Sequence, residues 1–178
     1  MGLSRVVRVV SFVAAGALVV VTRAGEPASG ALLQALPRAK ITLTQGIKQA
    51  GMPPAVAISA KYEPDEKGQL SLSVYTVAKG LGTDAEHNVL QELSGSPEGE
   101  SWAPNVEVFK DVEHVARSSE QLTLMALGKA SLADIVARVQ KKQSGTVFSV
   151  MPIVRNHRPV AEVLVADQGK VKKLFQPL

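Results

Sequence analysis

The chain opens on Val9 to Thr22, fourteen consecutive uncharged residues (VVSFVAAGALVVVT) set between Arg5 and Arg8 on one side and Arg23 on the other. A run this short falls below the roughly 20 apolar residues that a helix needs to cross a hydrocarbon core about 30 Å thick, and with its basic start it has the layout of a secretory signal peptide. Residues 1–24 are therefore expected to be removed, with cleavage after Ala24 or as late as Gly30 or Ala31; an uncleaved anchor starting at Val6 and an ordinary buried helix are the alternatives. Residues 25–39 mix Gly, Pro and Ala around a short apolar patch and read as a linker or loosely docked arm.

Periodic patterning begins at Ile41. Thr42 and Gln45 have capping-box spacing, in which the Thr hydroxyl accepts from an early backbone N–H and the Gln side chain reaches back. Leu43, Ile47 and Ala50 then share a helical face, and Gly51 with Pro53 and Pro54 ends the helix. From Val56 the period changes to two. Val56, Ile58, Ala60 and Tyr62 alternate with Ala57, Ser59, Lys61 and Glu63; after the turn Pro64 to Gly68, Leu70, Leu72, Val74 and Thr76 alternate with Ser71, Ser73, Tyr75 and Val77. This predicts a hairpin with one buried and one wetter face, followed by a short third strand over Val89 to Leu93.

The same order recurs later in the chain. Ser131 to Asp134 repeats the helix start, and Leu132, Val136 and Val139 match Leu43, Ile47 and Ala50 at a constant offset of 89. Strands are predicted over Thr146 to Val154, Val160 to Ala166 and Val171 to Phe175, with turns at Arg155 to Pro159 and Asp167 to Gly169. Between the copies, Gly- and Pro-rich residues surround Trp102, Asn105 to Phe109 reads as a brief strand, and Val112, Val115, Ser119, Leu122 and Ala126 recur at the spacing of a connecting helix over Asp111 to Leu127. The organisation is thus unit 1 at 40–94, a loop and connecting helix at 95–129, and unit 2 at 130–178. Units this small bury little surface alone, so the two are expected to share a core. The fold class is α+β, each unit a helix packed on a three-stranded antiparallel sheet.

Composition narrows the chemistry. With no Cys among 178 residues, disulfides, thiolate metal sites and a Cys nucleophile are excluded. The formal charge of +4 also shrinks once the leader goes, because three of the 20 Lys and Arg residues lie in it and all 16 Asp and Glu residues lie beyond it, leaving +1. So neutral a chain carries no nucleic-acid footprint.

The residues quoted above resemble the PepSY family, a bacterial domain of peptidase pro-regions and extracytoplasmic proteins. The likeness rests on a helix opening (ITLTQGIKQA), a strand of the SLSVYTV type, and a closing VADQGKVKKL whose D-x-x-G-like turn leads into a last strand. Ala130 to Phe175 follows this order best; Lys40 to about Leu93 follows it through the helix and hairpin and departs at the long Val77 to Asn88 connection. The resemblance implies tandem PepSY-like units without catalytic residues, in an exported protein that binds a protein or peptide. It also implies inhibition or regulation of a peptidase, which would act in trans because these residues include no peptidase domain.

Candidate enzymatic chemistry is sparse. His87, His114 and His157 accompany no HExxH or His-x-His motif, the serines sit in no GxSxG or SxxK context, and Gly80 and Gly82 (KGLGTD) lack the rest of a phosphate loop. No catalytic residue, metal or cofactor is expected, and a metal-assisted enzyme ranks behind a binding protein and a self-assembling envelope protein. Binding has a more concrete basis. Ser59, Lys61, Ser71, Ser73 and Tyr75 line the wetter sheet face, where an extended segment could lie or pair with an open edge. Trp102 is either an exposed anchor or a plug over the core, and Arg155, His157 and Arg158 form a cationic turn suited to an acidic partner. The expected location is periplasmic or extracellular, with membrane contact only if the leader stays uncleaved. N-terminal sequencing of the exported protein checks this, the expected first residue lying between Gly25 and Leu32.

Overall fold

Thr42 caps a helix as its spacing predicts: its hydroxyl accepts from Gln45 N–H at 3.2 Å, and the Gln45 side chain accepts from Thr42 N–H at 2.7 Å. The computed structural model describes residues 30–178, so the expected leader lies outside the described residues. Residues 30–38, expected to be a linker or loose arm, form a short helix α1 (Gly30–Ala35) and a 3-10 turn (Leu36–Arg38), with Leu32 and Leu36 buried in the core. The capped helix is α2 (Leu43–Ala50), and α3 (Val112–Leu127) and α4 (Leu132–Gln140) follow later, each with an Asp or Ser cap.

Among the described residues, seven strands pair antiparallel in a single sheet. They are β1 (Val56–Pro64), β2 (Leu70–Val77), β3 (Leu90–Gly95), β4 (Asn105–Val108), β5 (Thr146–Arg155), β6 (Arg158–Asp167) and β7 (Lys170–Pro177), in the spatial order β4-β3-β2-β1-β5-β6-β7. The fold is α+β, as expected, but the strands do not form separate three-stranded sheets. β1 and β5 pair at Ala60↔Val150 and Lys61↔Ser149, which joins the two groups edge to edge.

The repeat seen in the sequence has a counterpart in the geometry. α2 and α4 begin 89 residues apart and lie side by side on the same sheet face. Both leading hairpins carry a register shift near the start, between Ala57 and Ser59 in one and between Val147 and Ser149 in the other. The groups differ at the last connection, where residues 78–89 join β2 to β3 but only Gln168 and Gly169 join β6 to β7. That twelve-residue loop is closed by Asn88, whose side chain accepts from Lys79 N–H and donates to the Gly80 and Thr83 carbonyls. The KGLGTD stretch is therefore an internally bonded loop.

The core lies between the sheet and the α2/α4 layer. Leu43, Ile47, Leu132, Ile135, Val136 and Val139 meet Leu72, Val74, Val150 and Val163, all almost fully buried. Gly46 brings α2 close to β2, since a Cβ there would overlap the Leu72 side chain. Gly145 is under a stronger constraint. Its φ of +95° is a left-handed conformation that disfavours a side chain, and an added Cβ would run into the Ala166 carbonyl and lie 2.9 Å from Asp167 Cβ. Gly145→Ala is expected to lower unfolding stability by at least about 2 kcal/mol, combining the left-handed penalty with the clash. Urea titration followed by the fluorescence of Trp102 checks this, and a loss below about 0.5 kcal/mol, the scatter of ordinary surface changes, would contradict it.

Candidate functional site

Strand alternation sends Ser59, Lys61, Ser73 and Tyr75 to the sheet face opposite α2 and α4, as the sequence predicts. That face is not open, because α3 crosses it and contacts β1, β3, β5 and β6. Ser59, Ser71 and Ser73 are buried, and Lys61 and Tyr75 are half-buried. The expected solvated surface is thus a helix–sheet interface, which corrects the sequence reading.

The physical reason is a match of polar groups. α3 was expected to turn Val112, Val115, Ser119, Leu122 and Ala126 inward; instead Ser118, Gln121, Leu122, Leu124 and Met125 are buried, while Val112 and Ala126 are exposed. The rotation places Gln121 over β1, where its Oε1 accepts the Ser59 hydroxyl at 2.8 Å. Serine is small and neutral, so a helix can approach it closely, and burying a hydroxyl costs little once it is hydrogen-bonded.

Beside this contact lies a cluster of titratable groups. Lys61 pairs with Glu63 and sits 5.7 Å from the centre of the Tyr75 ring, and Tyr75 contacts Phe109, which stacks on His114 with ring centres 4.9 Å apart. Burial pushes the Tyr75 hydroxyl well above its ordinary value, with Glu92 and Glu63 adding to the effect. Burial also raises the Glu92 carboxyl; Glu63 and Glu107 push it the same way, while Ser73 and Lys61 pull it down. These groups pack and pair with one another, and nothing in the arrangement presents a nucleophile with a base.

The other expected site residues fall elsewhere. Trp102 is a plug: it is 4% exposed, its indole N–H donates to Gly95 O at 3.3 Å, and its own carbonyl accepts from Gln49 at 2.8 Å. Arg155, His157 and Arg158 are exposed at the β5–β6 hairpin tip. His87 and His114 each bond a carboxylate three residues earlier, Asp84 and Asp111, at 2.9 Å. These hydrogen bonds hold both carboxyls below their ordinary range.

What sequence patterning missed is the β4 edge. β4 ends the sheet, and all four of its residues are exposed, Val106 at 59% and Val108 at 46%. Phe109 N–H donates to Leu90 O, which marks residues 109 and 90 as a hydrogen-bonded pair. Alternation then makes 107/92 and 105/94 hydrogen-bonded pairs as well, and turns the N–H and C=O of Val106 and Val108 outward. Among the described residues, these two therefore offer four backbone groups without a partner and two exposed apolar side chains.

The opposite edge is guarded. β7 carries Lys170, Lys172 and Lys173 and ends at Pro177, residues that discourage strand addition.

No family model, curated protein or solved structure matches the chain. Among the described residues, no helix is long and apolar enough to cross a membrane.

The raised Glu92 carboxyl has a consequence for stability. The folded protein keeps this proton to a higher pH than the unfolded chain does, so stability falls as pH rises from the ordinary Glu range through the raised value. Glu92→Gln removes that loss. Its unfolding free energy is expected to gain on the wild type as pH rises above the ordinary Glu range of about 4, and a flat difference with pH would show that the carboxyl is not held in a destabilising site.

Proposed function

We propose that this chain is an exported, non-catalytic binding protein that takes up an extended segment of a protein or peptide along the outer edge of β4. The observation that carries the reading is the outward backbone of Val106 and Val108 at a sheet edge where both valine side chains are exposed. An added strand satisfies those groups with main-chain bonds, and the two valines supply side-chain contacts that select its residues. In this reading the two helix-and-hairpin groups are tandem PepSY-like units fused through β1 and β5. The partner class is then the one that the resemblance implies, a peptidase regulated in trans.

A second reading, self-association, is favoured by the same edge. A strand of another copy can pair antiparallel with β4, with Val106 opposite its counterpart.

Val106→Pro separates binding through this edge from binding elsewhere. Proline removes an N–H that points away from the sheet, so the fold survives, while strand addition loses a hydrogen bond and meets the ring. Peptides selected on the wild-type protein from a random extended-peptide library are expected to bind the variant at least about tenfold more weakly, the equivalent of one hydrogen bond with its steric penalty. Unchanged binding would rule out the β4 edge. Sedimentation of both proteins distinguishes the second reading, which requires a wild-type dimer that Val106→Pro dissociates.

A further inference from the structure

The β5–β6 hairpin tip carries a charge arrangement that its own fold does not neutralise. Arg155 and Arg158 face each other directly across the ladder, on the same sheet side as Phe175. Like charges in directly opposed positions destabilise a hairpin. Among the described residues neither arginine takes part in an ion pair, and the nearby Glu162 is paired with Lys173 at 2.9 Å.

Arg155 is nevertheless held in place. Its guanidinium lies 3.6 Å from the centre of the Phe175 ring, a stacked position that leaves the in-plane N–H donors of the fork available.

The turn itself adds a second anomaly. Asn156 and His157 form a two-residue turn with φ of +50° and +60°, the conformation that favours glycine at its second position. His157 occupies that position at a conformational cost.

From this geometry we infer that the β5–β6 tip is an oxyanion site, in which the Arg155 fork and Arg158 bind a carboxylate from an acidic segment of another protein. The site stands apart from β4 and does not depend on the strand-addition reading. A planar carboxylate accepts two parallel N–H bonds from a guanidinium, and an anion between the two arginines removes their repulsion. Beside the tip the ladder sets Met151, Ile153, Val160 and Phe175 in adjoining half-buried positions, an apolar strip that suits a polypeptide. A lipid surface fits less well, because the turn residues Asn156 and His157 are polar and the exposed Val154 points to the other sheet face.

The test uses the purified full chain and a fluorescent octaglutamate peptide, with octaglutamine and phosphatidylglycerol vesicles as parallel probes. Octaglutamate is expected to bind saturably and octaglutamine not to bind. Arg155→Lys keeps the charge but loses the fork and the stacking, and should weaken octaglutamate binding about tenfold, as should Arg158→Gln. Val106→Pro should leave this binding unchanged. His157→Gly should raise the melting temperature while weakening the peptide, an outcome that a purely structural turn residue would not give. The inference is overturned if Arg155→Lys binds like the wild type, or if replacing the distant Lys141 and Lys142 by Gln has the same effect as changing the arginines. Preference for the vesicles over octaglutamate overturns it as well.

Discussion

The architecture depends on the short junction between β1 and β5. Two ladder pairs, Ala60↔Val150 and Lys61↔Ser149, turn two groups of strands into one sheet, and three consequences follow. α2 and α4 are brought side by side, so that Leu43, Ile47, Ile135 and Val136 complete one core. The two strand edges most in need of partners, the leading strands of the hairpins, are removed from solvent. The opposite face also becomes one continuous surface, wide enough for α3 to lie across.

That surface explains how a polar pattern can be buried. β2 reads Leu-Ser-Leu-Ser-Val-Tyr-Thr-Val, and every residue of it except Tyr75 is buried. Ordinarily such alternation marks a half-exposed strand, because water is the usual partner of the polar side. Here neighbouring protein groups take water's place: Ser71 donates to the Gly95 carbonyl of β3, and on the adjoining β1 Ser59 donates to Gln121 of α3. The helix thereby buries Ser118 and Gln121 together with Leu122, Leu124 and Met125, and leaves Val112 and Leu127 exposed at its ends.

Local rules were legible to the extent that one segment decides them. The Thr42 and Ser131 caps, the turns around Gly68 and Gly169, the hairpins and the offset of 89 all depend on residues near each other in sequence, and all appear at or within a residue or two of their expected positions. Lateral joining of the strand groups depends instead on pairing between residues 60 and 150, for which no periodicity gives a sign. The rotation of α3 was hidden for a related reason. Apolar spacing picks out Val112 and Ala126, whereas the buried face carries Leu122, Leu124 and Met125 together with Gln121, which bonds a serine 62 residues away. Of the candidate site, the cationic residues of the 155–158 turn were readable as a group because they are contiguous. The exposure of β4 was not, since it follows from which strand the sheet happens to end on.

Differences between the two halves account for where free interaction capacity remains. The longer first connection and the extra strand β4 put the exposed Val106 and Val108 on one edge of the sheet, while the second half ends in the lysine-rich β7. Their hairpin tips, which the antiparallel β1–β5 pairing sends to opposite ends of the sheet, diverge in the same way. At the first tip Asp65 spends its carboxylate internally, accepting the Lys67 and Gln69 N–H groups at 2.9 and 2.7 Å, and Glu63 is paired with Lys61. At the second, a two-residue turn leaves no room for such an internal acceptor, and Arg155 and Arg158 are left opposed. A charge cluster that a fold satisfies is part of its stability; one that it leaves unsatisfied at the tip of a hairpin of two ten-residue strands is available to something else. By that criterion the first tip is structural, and the second is the one we propose as an interaction surface.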